Sequence, residues 1–138
     1  MIAITRNDFS IDDVVQNTRR PSMGAVVLFL GTVRDSTKGQ SVQRLEFEAD
    51  VALATKELEQ IRDEAVREFG VTDVSIVHRT GILEPGENIV IIAVGAAHRE
   101  QAFKGCRYTI EELKKRAMIW KKEILDNGSY WVGESENE

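Results

Sequence analysis

The sequence predicts an α+β fold with a mainly antiparallel sheet. Segments with strand-like patterns outnumber helical ones, and several adjacent segments are close enough in the chain to pair as hairpins. With 138 residues, 42% of them hydrophobic and 30% charged, the chain has the composition of a globular protein and the length of one domain. We therefore expect residues 1–138 to form a single domain, with residues 133–138 as a disordered acidic tail.

The first third of the chain contains two predicted strands and one helix. Residues 2–5 form a short strand, and Ser10 then caps a helix that has two aspartates in its first turn, where the helix dipole favours negative charge. Residues 24–34 are almost continuously apolar. This pattern predicts a strand that is buried on both faces and ends near Gly31.

A third strand and a long helix follow a polar loop over residues 35–41. Residues 42–48 alternate between apolar and charged side chains, as a half-buried strand does. Asp50 then caps a helix that Gly70 ends. The apolar residues that recur at helical spacing within it are Val51, Ala54, Leu58, Ile61 and Ala65.

Two apolar strands and a basic helix are predicted next. Residues 71–78 and 88–97 are the strands, and the turn at residues 84–87 contains Pro-Gly. Residues 99–115 are predicted to be helical.

A hairpin is predicted at the C-terminal end. Residues 118–125 and 129–132 have strand patterns, and they flank Asp126-Asn127-Gly128. Since Asn-Gly is preferred in two-residue hairpin turns, we expect the two strands to pair across it.

Positive charge is concentrated between His98 and Lys122. This segment holds eight Lys or Arg against three Glu, a net charge of +5, in a chain whose net charge is −5. Such a segment in an acidic protein predicts an anion site. The acidic total argues against nucleic-acid binding, and the apolar runs are too short to span a membrane. The lone Cys106, with no evident secretory signal and no zinc-type spacing, favours a reducing, cytoplasmic location without a metal.

Lys114 is the first candidate for catalysis. At 100° per residue it lies about 20° from Phe103. We assign Phe103 to the apolar stripe of the last helix, together with Ala102, Cys106, Ile110 and Leu113. A lysine there either extends to water or is desolvated, which would lower its pKa and suit it to proton transfer. The helix alone favours the first alternative.

Other cations lie at the ends of predicted elements. His98 and Arg99 stand where a strand gives way to a helix N-terminus, whose N–H groups favour anions. Arg34 ends an apolar strand, and alternation allows only one of Lys121 and Lys122 to face inward. Taken singly, each is more often a solvated surface residue.

Three further residues have two interpretations each. Cys106 is more readily a small buried side chain than a nucleophile. Trp120 suits either the core or stacking on a ligand. His78 precedes a turn at Gly81 rather than a helix, and we interpret it as structural.

The motifs, taken in order, resemble the large, catalytic subunit of molybdopterin synthase over roughly residues 24–132. They are GAVVLFLGTVR, HRTGILEPGE, AAHREQAF, LKKRAMIWKKE and SYWV. The resemblance implies an α/β-hammerhead fold and a homodimer within a heterotetramer. Each large subunit would bind a small ubiquitin-like sulfur carrier with a C-terminal Gly-Gly thiocarboxylate. The activity implied is sulfur transfer to cyclic pyranopterin monophosphate (precursor Z), forming the molybdopterin dithiolene in molybdenum cofactor biosynthesis, without a cofactor.

The same resemblance implies roles for individual residues. Lys114 and Lys121 would be catalytic. The contacts to the pterin and phosphate would come from Thr32, Val33, Arg34, His98, Arg99, Lys121, Lys122 and Glu123. The chain departs from the family where many relatives have Pro at Met118 or Ala117. It also has residues 133–136, GESE, where relatives supply a basic residue to the other protomer.

Two other functions fit the same residues. Cys106 would be a persulfide carrier in a rhodanese-type sulfurtransferase, or the domain would be a scaffold that binds anions without catalysis. Replacing Cys106 with Ala would abolish the first of these activities and spare sulfur transfer from a thiocarboxylate.

Overall fold

The computed structural model describes residues 1–134, which form helices and two β-sheets. The helices are α1 (Ile11–Thr18), α2 (Val51–Phe69) and α3 (Arg99–Arg116). The strands are β1 (Ile2–Thr5), β2 (Ala25–Thr32), β3 (Ser36–Thr37), β4 (Gln40–Ala49), β5 (Asp73–Arg79), β6 (Gly81–Leu83), β7 (Asn88–Ala96), β8 (Ile119–Leu125) and β9 (Tyr130–Glu134). None of these helices is long and apolar enough to cross a bilayer.

The first sheet has the strand order β1-β5-β7-β2, and the second has β3-β4-β8-β9 with β6 also paired to β4. The β1–β5 pair is parallel, and the other described pairs are antiparallel. Helices α2 and α3 cover one face of the first sheet and α1 covers the other, so β5 and β7 are buried on both sides. The predicted α+β class, with mainly antiparallel pairing and a C-terminal hairpin, is confirmed.

The helix boundaries follow the predicted capping residues. Ser10 Oγ accepts a hydrogen bond from the Asp13 amide at 3.2 Å, and Asp50 Oδ1 accepts one from the Leu53 amide at 3.1 Å. Gly70 ends α2 in the left-handed region, with φ of 68°. The predicted core face of α2 is buried except at Val51, which is exposed in the first turn.

The prediction that residues 24–34 are buried on both faces is wrong. Strand β2 lies at the edge of the first sheet, and Leu28 and Leu30 are 43% and 40% exposed. Burial on both faces requires a covering layer on each side, which β5 and β7 have at the centre of the sheet. The apolar outer face of β2 therefore remains on the surface of the chain.

The predicted loop at residues 35–41 is instead mostly a tight hairpin. Ser36 pairs with Ser41 and Thr37 pairs with Gln40, so that β3 and the start of β4 are joined through Lys38 and Gly39. Both turn residues have positive φ, 51° and 78°, as type I′ turns require. Strand β6 was also not predicted, because its three residues are too few for a periodic pattern.

The C-terminal hairpin is confirmed, but its turn has three residues rather than two. The Leu125 amide donates to the Ser129 carbonyl at 2.9 Å, and the Gly128 amide donates back to the Leu125 carbonyl at 3.0 Å. Gly128 takes the left-handed conformation (φ 88°), as in three-residue hairpin loops. Strand β9 continues through Glu134, so the predicted disordered tail is wrong for residues 133–134, and residues 135–138 lie outside the described part.

Helix α3 lies close against the first sheet because residue 105 is glycine. A Cβ atom there would lie 2.7 Å from Val71 Cγ1 and 3.2 Å from Val94 Cγ1. Any larger residue would push the helix away from β7. This contact fixes the height of α3 above the sheet.

Arg116 joins the last turn of α3 to α2 through carboxylates on both helices. Its guanidinium donates to Glu64 at 2.6 Å, to Glu57 at 3.1 Å and to Glu112 at 3.1 Å. Tyr108 also donates to Glu64 at 2.6 Å. The Arg116 guanidinium lowers the pKa of the Glu64 carboxyl, and the same carboxylate raises the pKa of Tyr108 to about 12.

Arg116→Met is expected to lower the free energy of unfolding by about 1–2 kcal/mol at neutral pH, because charged hydrogen bonds to both helices are lost. Since the folded pKa of Glu64 is lowered, this stabilisation is present above the ordinary carboxyl pKa of 4.5 and disappears as pH falls through the folded value. Urea unfolding at neutral pH and at about pH 3.5 measures the difference.

Arg62→Met is the matched control, because Arg62 pairs on α2 with its exposed neighbour Asp63. It should change stability by less than about 0.5 kcal/mol. An equal loss for both variants, or a loss from Arg116→Met that does not shrink at low pH, would contradict the assignment.

Candidate functional site

A cavity of about 230 Å³ lies where the end of β2 meets β4, β5, β7 and the last turns of α3. Its walls are mostly apolar, with a few polar side chains, which is the usual composition of a small-molecule site. The apolar walls are Phe29, Leu30, Gly31, Phe47, Ile89, Val90, Ile110 and Leu113. The polar residues are Thr32, Arg34, His78 and Lys114.

Lys114 lines this cavity and is half-buried. The apolar stripe from which we predicted its position was, however, centred on the wrong side of α3. Phe103 is 61% exposed, and the buried stripe of α3 runs through Ala102, Cys106 and Leu113. Lys114 lies about 100° from the middle of that stripe. It lines the cavity together with residues of β2 and β4, whose positions no helical projection can show.

Arg34 lines the same cavity and is held there through its neighbour. The Val33 amide donates to the Glu87 carbonyl at 3.0 Å, and the Gly86 amide donates to the Val33 carbonyl at 2.9 Å. The Val33 side chain is buried in the core. Thr32 and Arg34 therefore present their side chains to the cavity, whereas Val33 fixes the backbone between them.

Strand β8 places Lys121 and Glu123 on one face and Lys122 on the other. Lys121 lies directly opposite the cavity residue Phe47 in the β4–β8 register, and opposite residues share a face. Lys121 and Glu123 are 6% and 8% exposed. Lys122 lies on the outer face, where its Nζ sits 4.4 Å from the centre of the Tyr130 ring. Of the two neighbouring lysines, Lys121 is thus the inward one.

Trp120 also lies on the outer face of β8, opposite Glu48, and is exposed. It belongs neither to the core nor to the cavity in this chain. The aromatic side chains that do line the cavity are Phe29 and Phe47. Sequence analysis missed both, because a phenylalanine in an apolar strand resembles any other core residue.

His98 and Arg99 do not converge with the cavity residues of their own chain. They lie at the N-terminal end of α3, beside a shallow hollow that they line with Gly24, Ala97 and Glu100. Lys114 is fifteen residues further along the same helix, or about 22 Å at 1.5 Å per residue. The His98 side chain does not cap the helix and is exposed.

His78 also lines the cavity, although sequence analysis did not place it in the site. Its ring is buried, contacts Phe47 edge-on at 5.4 Å, and has Nδ1 at 2.7 Å from the Arg79 carbonyl. A carbonyl oxygen only accepts, so this contact places a proton on Nδ1. The interpretation of His78 as a packed residue agrees with these contacts, and its place in the cavity adds to it.

Cys106 is buried on α3, and burial raises the pKa of its thiol to about 11. At pH 7 about one thiol in 10⁴ would be ionised. A persulfide carrier needs an accessible thiolate, so this environment disfavours the rhodanese-type alternative.

Met118 turns the chain between Lys114 and Lys121 in a left-handed conformation, with φ of 59°. Proline holds φ near −65° and cannot adopt it. Ala117, with φ of −75°, would accept the proline ring, at the loss of its amide hydrogen bond to the Leu113 carbonyl. Of the two positions, residue 117 is therefore the one whose φ a proline can adopt.

The family model described as MoaE protein matches residues 4–116. A molybdopterin synthase catalytic subunit from Pyrococcus abyssi is 42% identical over 125 residues, covering 91% of this chain and 84% of the relative. The crystal structure of molybdopterin synthase from Staphylococcus aureus matches with a TM-score of 0.89 and 38% identity, covering 94% of both chains. A complex of subunits 1 and 2 of molybdopterin-converting factor from Helicobacter pylori shares the fold, with a TM-score of 0.76 and 20% identity over 99% of this chain and 91% of that one.

The family model spans most of the chain, and the relatives cover nearly all of it at about 40% identity. The resemblance noted in the sequence is thereby confirmed. The chain belongs to the MoaE protein family.

Proposed function

We propose that this chain is the catalytic subunit of a molybdopterin synthase that transfers sulfur from the thiocarboxylated C-terminus of a small ubiquitin-like subunit to cyclic pyranopterin monophosphate. The observation that carries the proposal is the cavity in which Lys114 and Arg34 meet apolar walls, next to the buried Lys121. The catalytic-subunit relatives support the same assignment.

The chemistry of the cavity suits a flat heterocycle that carries a negative charge. Phe29, Phe47 and Ile110 offer apolar surface to a ring system, and Arg34 offers a planar pair of donors to phosphate. Lys114 and Lys121 bring positive charge to the place where an anionic tail would enter. In a chain of net charge −5, this local concentration is what attracts anionic substrates.

The proposed reaction forms one carbon–sulfur bond and breaks another. The thiocarboxylate sulfur attacks a carbon of the pyran side of the precursor, and the bond from that carbon to an oxygen of the cyclic phosphate breaks. The two molecules are then linked as a thioester, and the phosphate remains on the precursor as a monoester. Water then adds to the thioester carbonyl, the carbon–sulfur bond to the tail breaks, and the tail leaves as a carboxylate while sulfur stays on the pterin. Lys114 stabilises the developing oxyanion and transfers protons. A second tail adds the second sulfur of the dithiolene at the neighbouring carbon, whose oxygen leaves as water.

The site is completed, in this proposal, by a second copy of the chain. The cavity of about 230 Å³ is smaller than the usual range of about 300–1,000 Å³ for ligand sites. The cations missing from it, His98 and Arg99, lie at the far end of α3. Two antiparallel α3 helices related by a two-fold axis near residue 106 would bring each N-terminal pair beside the other copy's Lys114.

The surface around residue 106 supports this arrangement. Leu28 and Phe103 are 43% and 61% exposed, and with Cys106 and Ile110 they line an apolar hollow on the same side of α3 as the cavity. A two-fold contact through this hollow would cover the apolar face of β2 and form both composite sites at once.

The partner is proposed to be the small subunit of a heterotetramer. The Helicobacter pylori relative was solved as a complex of two subunits of molybdopterin-converting factor. A Gly-Gly tail is slender enough to enter a cavity of this size. Co-purification with a small protein ending in Gly-Gly would support the pairing, and the lone buried cysteine fits the cytoplasmic location we propose.

Lys114→Ala is expected to lower the rate of molybdopterin formation by about 10²–10³-fold, because an electrostatic donor at the reacting centre is removed. The assay uses the thiocarboxylated small subunit and cyclic pyranopterin monophosphate, and follows both conversion and binding. Lys115→Ala is the control, since Lys115 is exposed on the solvent side of the same turn.

Normal turnover by Lys114→Ala would refute its catalytic role. If the wild-type chain binds both partners and forms no product, the scaffold alternative is correct and the proposed function is wrong.

Mixing two inactive variants tests the composite site. Lys114→Ala and Arg99→Ala should each be inactive as homodimers, whereas a mixed dimer contains one intact site made of Lys114 from one copy and Arg99 from the other. Random reassociation should then restore about a quarter of wild-type activity. Mixtures that stay inactive although mass spectrometry shows mixed dimers would contradict a site shared between copies.

A further inference from the structure

The short hairpin that follows Arg34 is attached to the strand that carries Lys121. Thr37 Oγ1 in β3 donates a hydrogen bond to Glu123 Oε1 in β8. Strands β3 and β8 are not neighbours in the sheet, because β4 lies between them. This side-chain bond is therefore a direct link between the segment after Arg34 and β8.

The Arg34 segment is held on both sides. On the N-terminal side, Val33 exchanges two backbone hydrogen bonds with the turn at residues 86–87. On the C-terminal side, the Val42 amide donates to the Asp35 carbonyl at 2.8 Å, and Thr37 binds Glu123. The residues between these attachments are few, so the position of Arg34 depends on each of them.

Glu123 connects the hairpin to the face of β8 that carries Lys121. It shares a face of β8 with Lys121, two residues away, and is 8% exposed. A carboxylate this far from water needs hydrogen-bond donors, and the Thr37 hydroxyl is one. The resemblance to the family implies a substrate contact for Glu123, whereas in this chain one of its oxygens is already engaged by the hairpin.

We infer that Thr37 is a positioning residue, whose hydroxyl holds Glu123 and thereby fixes the distance between Arg34 and Lys121. This inference rests on the proposed function, in which Arg34 binds phosphate and Lys121 acts beside it. Thr37 touches neither the substrate cavity nor the reacting atoms; it acts through Glu123 and through the backbone of its own hairpin.

The test compares Thr37→Val, which removes the hydroxyl and keeps the β-branched shape, with Thr37→Ser, which keeps the hydroxyl. Ser36→Ala is the matched control, because Ser36 is the exposed neighbour in the same strand. Hydrogen exchange of the Val42 amide reports on the hairpin, and steady-state kinetics with the thiocarboxylated small subunit and cyclic pyranopterin monophosphate report on the site.

Thr37→Val should speed exchange at Val42 and raise the KM for the pterin by about tenfold, the size of effect expected from one lost buried hydrogen bond, with a smaller change in kcat. Thr37→Ser and Ser36→Ala should stay close to wild type in both measurements. Thr37→Val values equal to those of Ser36→Ala would overturn the inference. Faster exchange with an unchanged KM would also overturn it, because the bond would then be structural only.

The two hypotheses fail in different ways. If the wild-type chain makes no molybdopterin, the proposed function is wrong whatever the hairpin does. If the wild type is active and Thr37→Val keeps its KM, the function stands and the positioning role of Thr37 is wrong.

Discussion

The site depends on the rigidity of α3 and on its distance from the sheet. The helix carries Lys114 at one end and Arg99 at the other, about 22 Å apart. Gly105 sets the closeness of the helix to β7, and Arg116 joins its last turn to α2. A helix held in this way cannot bend to bring its two cationic ends together. In the proposed site, one anion therefore contacts both a Lys114 and an Arg99 only if the two residues come from different copies of the chain.

The alternation of β8 decides which of its basic residues shares the buried face with the cavity residue Phe47. A strand turns successive side chains to opposite faces, so Lys121 and Glu123 lie inside while Lys122 lies outside. The left-handed turn at Met118 determines which β8 residues face inward, because it joins the last turn of α3 to the first residue of the strand. A shift of one residue would bury Lys122 and expose Lys121. The pairing of Lys121 with Phe47 is therefore as necessary to the arrangement of the site as the presence of the lysines.

Much of the fold follows from local signals in the sequence. Ser10, Asp50 and Gly70 mark helix ends through hydrogen bonds that involve only neighbouring residues, and these predictions are confirmed. The errors concern partners distant in sequence. The outer face of β2 is apolar and exposed, because none of the helices within residues 1–134 covers that face of the edge strand. The assignment of Phe103 to the core is wrong for the same reason. An apolar side chain on an amphipathic helix is predicted to be buried, but Phe103 is exposed and lines the same surface hollow as Leu28. The location of Phe47 and His78 in the cavity depends on strand order, which local patterns do not specify.

The most direct test of a shared site is a crystal structure of the assembled protein with cyclic pyranopterin monophosphate bound. The account predicts a two-fold dimer packed through Leu28 and Phe103, with the phosphate held between Arg34 of one copy and His98 and Arg99 of the other. A phosphate bound by one copy alone, or a dimer that leaves Phe103 in solvent and the N-terminus of α3 far from the second cavity, would contradict it.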